Sequence, residues 1–86
     1  MNVQFENLGT VNKNRVIIGT LSIWFSYETP VAFYTPKTGR VVRENEWSKT
    51  TGKFLNELEP DKAKRIKGAD FEKRLNAVTN DSMGFR

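Results

Sequence analysis

The stretch Leu21 to Tyr27, LSIWFSY, alternates apolar and polar positions almost without a break. In an extended chain Leu21, Ile23, Phe25 and Tyr27 share one face, and Ser22, Trp24 and Ser26 share the other. A period of two does not fit a helix, so this part of the chain has to enter an antiparallel sheet with one core face. Upstream, RVII from Arg15 is rich in β-branched residues, and Gly19 either divides two strands or marks a bulge. Thr29-Pro30 interrupts, because proline cannot donate to a ladder in a sheet interior. VAFYT (31–35) resumes the strand, PKTG (36–39) forms a turn, and RVVREN (40–45) returns as the second arm of a hairpin.

Beyond Trp47 the period changes. Phe54, Leu55 and Leu58 fall at helical spacing, Ser48 or Thr50 can cap the start, and Pro60 ends the run. DKAKRIK (61–67) reads as a basic connector, with room for a short strand around Ile66. After Gly68, Phe71, Leu75 and Val78 recur at i, i+4 and i+7. Asp70 and Glu72 precede Lys73 and Arg74, the order a helix dipole favours. The expected fold is α+β: an antiparallel sheet of three to four strands with two short helices packed on one face. Residues 1–78 form a single domain, and 79–86 are expected to be a flexible C-terminal tail.

Eighty-six residues leave room for one domain. Cysteine and histidine are both absent. Thiolate nucleophiles, cysteine metal sites and every histidine-based triad are thereby excluded. No catalytic residue, metal or cofactor is expected, and the chain does not read as an enzyme. No apolar run approaches membrane-spanning length. The N-terminus MNVQFENLG does not resemble a secretory signal. A cytoplasmic location is expected, that of the host cell if the protein is viral. The net charge of +4 permits a polyanionic partner without demanding one.

The fragment TTGK, Thr50 to Lys53, looks like the tail of a phosphate-binding loop. In a G-x-x-x-x-G-K-[ST] alignment, however, Trp47 replaces the first glycine and Phe54 replaces the metal-binding hydroxyl. Neither substitute can do the work, so nucleotide hydrolysis is rejected. The plainer reading is a helix start whose Gly52 allows close packing. Between the two, Lys49 and Lys53 beside helix N–H groups suit one phosphate of a nucleic acid backbone.

The runs SYETPVAFYT (26–35) and WSKTTGKFLN (47–56), followed by Phe71 to Leu75, resemble a family of small uncharacterised proteins of phages, plasmids and archaeal genomes. Its shared pattern is S-Y-x-T-P-V-A followed by W-S-x-T-T-G-K-x-L-N. The resemblance covers roughly residues 20–78. It implies a viral or mobile-element setting and brings no chemistry with it.

Three constellations bear on function. In KAKRIK, Lys62, Lys64, Arg65 and Lys67 suit phosphate contacts, or else form a solvated connector balanced by Glu57, Glu59 and Asp61. If the helices cover the Leu21/Ile23 face, Trp24 and Tyr34 lie on an open face with Arg40 beside them, a stacking platform for single-stranded bases. The alternative packs both aromatics beneath a loop, an N-terminal strand or a dimer partner. The carboxylates Glu44, Glu46, Glu57, Glu59 and Asp61 read as surface charge. Trp47 reads as a core corner residue. Two functional classes follow. One is a nucleic-acid-binding accessory protein using Lys49, Lys53, Lys62, Lys64, Arg65, Lys67, Trp24, Tyr34 and Arg40. The other is a protein-binding module that modulates a host protein. Open sheet edges also suit a homodimer.

Overall fold

The computed structural model describes residues 3–9, 13–44 and 49–83. Five strands follow one another: β1 (Val3–Asn7), β2 (Lys13–Ile18), β3 (Leu21–Ser26), β4 (Thr29–Thr35) and β5 (Gly39–Val42). They form one antiparallel meander in the order β1-β2-β3-β4-β5. Helix α1 (Lys49–Leu58), a 3-10 turn (Lys62–Lys64) and helix α2 (Gly68–Met83) complete the fold. The fold class is α+β.

Gly19 separates β2 from β3 in a two-residue turn and adopts a φ of 59°. Gly39, at the turn into β5, adopts 70°. Both values lie in the left-handed region that glycine enters without steric cost. Pro30 lies within β4, but at an irregularity. The register shifts between Trp24 and Phe25, which face Ala32 and Pro30, so Val31 is the extra residue of a bulge. The bulge accommodates the proline that the hairpin would otherwise exclude from its interior.

The sheet has a core on each face. Leu21, Ile23 and Phe33 pack against Phe71 and Leu75 of α2, with Phe25, Val41, Ile66 and Val78 partly buried around them. The Phe33 and Phe71 ring centroids are 5.6 Å apart at 50°, a tilted pairing of the kind worth roughly 1 kcal/mol beyond area burial. Trp24, Ala32 and Val42 pack against Phe54 and Leu55 of α1, together with Val31. Trp24 alternates with Ile23 along β3, and Ala32 with Phe33 along β4, so the two clusters occupy opposite faces. The helices therefore lie on opposite faces, whereas the sequence led us to expect both on one. The polar look of Ser22-x-Trp24-x-Ser26 concealed the second core, whose apolar residues come from β3, β4, β5 and α1, one or two from each.

Two further differences concern the ends. The sheet has five strands because VQFEN (3–7) pairs with β2, from Val3 opposite Ile18 to Asn7 opposite Asn14. Helix α2 runs to Met83, past the point where the flexible tail was expected to begin. Thr79-Asn80-Asp81-Ser82 are weak helix formers but contain no proline or glycine to stop a helix already propagating. Trp47, Ser48 and Glu46 lie outside the described residues.

The strand expected around Ile66 is a single parallel bridge to Arg43. Ile66 N–H donates to the Val42 carbonyl at 2.9 Å, and Glu44 N–H donates to the Ile66 carbonyl at 2.8 Å.

Candidate nucleic-acid interface

The basic segment is held at both ends. Asp61 caps the 3-10 turn: its carboxylate accepts from Ala63 N–H at 3.0 Å, and its carbonyl from Lys64 N–H at 3.0 Å. Ile66 fastens the other end to β5, and the Lys67 carbonyl accepts from Phe71 N–H at 2.9 Å as α2 begins. Between these anchors Lys62, Lys64 and Lys67 are exposed. None of the three forms an ion pair with a described residue.

Arg65 behaves differently from its neighbours. It is only 8% exposed. Its Nε and Nη2 donate to the Glu59 carbonyl at 3.1 and 2.9 Å, and Nη2 donates to Asn56 Oδ1 at 2.6 Å. Arg40 Nη1 donates to the Leu58 carbonyl at 3.0 Å. The last carbonyls of a helix have no partner within it, and α1 carries no basic residue in its own last turn. Two arginines distant in sequence supply what it lacks. The guanidinium fork suits this task because it offers several donors in one plane. Of the four cations in KAKRIK, then, one belongs to the interior.

The expected stacking platform is not present. Trp24 is 7% exposed, beneath α1. Register does place Arg40 on the same face, opposite Tyr34. The Arg40 guanidinium lies 5.1 Å from the Trp24 ring centroid and that of Arg15 lies 5.8 Å away. Arg15 in turn pairs with Glu6. These contacts cover the tryptophan instead of presenting it. Tyr34 is 40% exposed and stands without its intended partner.

Lys53 is exposed on α1, more than a turn before its end, and no contact joins it to the lysines of the connector. Lys49 opens the same helix. The acidic residues disperse: Glu44 is exposed, Glu57 pairs with Lys13 at 3.1 Å, and Asp61 serves as the cap. Among the described residues no three acidic side chains converge on a metal-sized site, and no helix is long and apolar enough to cross a membrane. Arg43, 5% exposed, lies 3.6 Å from Glu72 and 5.6 Å from the Phe71 ring centroid.

Sequence reasoning did not single out two exposed groups. Phe5 on β1 is 80% exposed and Tyr27 at the β3–β4 turn is 59% exposed. Tyr27 also adopts a φ of 57° and borders an open depression with Asn14, Glu28 and Thr29. The alternation of Val3 and Phe5 with Gln4 and Glu6 was the available signal for β1.

A family model described as a family of unknown function, DUF8033, matches residues 2–73, and the chain belongs to that family. No curated protein and no solved structure matches it.

Proposed function

We propose that this DUF8033 member is a small accessory protein of the phage type that holds nucleic acid by its phosphate backbone, without catalysis, in the host cytoplasm. One observation carries the reading: Lys62, Lys64 and Lys67 are exposed, with no ion pair to a described residue, on a segment held by Asp61 and Ile66. Cations held in place lose less conformational freedom on binding than cations on a free tail. Lys53 and Lys49 are further contacts for a longer ligand. Because Trp24 is covered, recognition rests on phosphates and not on stacked bases, so little base preference is expected.

The magnitude can be anticipated. Three phosphate contacts on duplex DNA give a slope of log affinity against log salt of about −2.7. Affinity then falls roughly 40-fold between 50 and 200 mM salt. Fluorescence anisotropy with labelled single- and double-stranded DNA and RNA measures this directly. The substitution of Lys62, Lys64 and Lys67 together by alanine is expected to abolish the salt-sensitive component. Undiminished binding by that variant, or no binding by the native protein at low salt, overturns the reading.

The exposed Tyr27 favours a second reading, a module that docks on a host protein. Tyrosine is enriched among residues that anchor such interfaces. Binding of that kind weakens far less with salt.

A further inference from the structure

We propose that β1 is a pairing edge and that its occupant is a second copy of this chain, aligned antiparallel about Phe5.

The direction of the peptide groups on β1 follows from two separate observations. Leu8 N–H donates to the Lys13 carbonyl at 2.9 Å, so positions 8, 6 and 4 turn their groups toward β2, and positions 7, 5 and 3 turn theirs away. The other end gives the same parity. The two-residue turn at Gly19-Thr20 closes on the pair Ile18 and Leu21, which directs Ile18 toward β3 and Ile17 back toward Gln4. Val3 and Phe5 thus present their backbone groups to the outside of the sheet.

The side chains on this edge invite pairing. Phe5 is 80% and Val3 48% exposed. Both point to the face that α2 covers further along the sheet, and Phe5 stands opposite Val16. Natural edges are shielded by lysine, proline or a bulge. VQFEN contains no lysine or proline, and its register with β2 is unbroken. Its one charge, Glu6, is held by Arg15 on the neighbouring strand.

The strand is self-complementary. Antiparallel alignment about Phe5 sets Phe5 against Phe5 of the second copy, with reciprocal N–H to carbonyl bonds between them. Gln4 then faces Glu6, and Val3 faces Asn7, so no like charges meet. The result is a twofold-symmetric interface within a continuous ten-stranded sheet. The opposite edge is closed by the chain itself, since Ile66 occupies Val42 and Glu44 on the outside of β5.

An edge of five residues is a small interface, so half-association is expected at roughly ten micromolar. Sedimentation equilibrium of the full chain between 1 µM and 1 mM tests the inference. The expected result is a shift from one to two copies that Phe5→Lys abolishes, while circular dichroism of that variant stays native. A chain that remains single up to 1 mM, or a Phe5→Lys variant that still dimerises, overturns the proposal. Single cysteines test the alignment, because the native chain has none. Phe5→Cys is expected to cross-link between copies under mild oxidant, and Thr38→Cys, at the far hairpin, is not. Cross-linking of both alike also overturns it.

Discussion

Arg65 reaches back six residues and donates twice to the carbonyl oxygen of Glu59. A helix that closes on Asn56-Glu57-Leu58, with Glu59 just beyond, carries the wrong charge at its negative pole, and this contact with its counterpart from Arg40 offsets that defect. Arg65→Ala is expected to cost about 2 kcal/mol, the loss of charged-donor bonds plus a stranded carbonyl. For a domain of this size that lowers the melting midpoint by roughly 8–16 °C. Arg65→Lys should recover less than half, since one ammonium cannot reach both Glu59 and Asn56 as the fork does. Thermal melts of the two variants decide the point.

Among the lysines the reverse pattern is expected. Lys62→Ala, Lys64→Ala and Lys67→Ala each leave the melting midpoint within a few degrees, because each side chain is exposed and forms no ion pair with a described residue. Each should reduce the salt slope of nucleic-acid binding by about 0.9. Arg65→Ala, measured well below its midpoint, should leave that slope unchanged.

Leu58 and Val78 lie against different cores, separated by the thickness of the sheet. Leu58→Ala and Val78→Ala are expected to cost about 1–2 kcal/mol each, at the low end for core truncations because both sites are only partly buried. The double variant should equal the sum within about 0.5 kcal/mol. A coupling above 1 kcal/mol in urea denaturation would place both helices on one face instead.

Tyr27 holds a φ of 57° at the first position of a two-residue turn, a conformation that asparagine and glycine tolerate and β-branched residues resist. Tyr27→Asn is expected to hold or raise stability by about 0.5 kcal/mol, and Tyr27→Val to lower it by at least about 1 kcal/mol. Denaturant midpoints distinguish the two. If the second functional reading holds, Tyr27→Asn also loses the partner while its fold improves.

Much of the fold was legible in the chain. The alternation through β3, the PKTG turn, and the spacings of Phe54-Leu55-Leu58 and Phe71-Leu75-Val78 each express a local period, and each appears where that period places it. The second core did not, because Trp24, Ala32, Val42 and Phe54 belong to separate segments whose facing is set by tertiary packing. The site was legible only as charge. A sequence counts Lys64 and Arg65 as equals, and only the position of the α1 carbonyls separates the solvated cation from the buried one. The alternation at Val3 and Phe5 was visible but short, only five residues long in β1.

The bridge between Ile66 and β5 also bears on stoichiometry. A meander with two open edges could add copies without end, each new molecule offering a fresh template for the next. Here Val42 and Glu44 are already taken by the chain's own connector, leaving only the groups around Arg40 on that side. Growth by strand addition therefore terminates at two molecules. The same connector that presents the lysines also keeps the sheet from becoming a fibre.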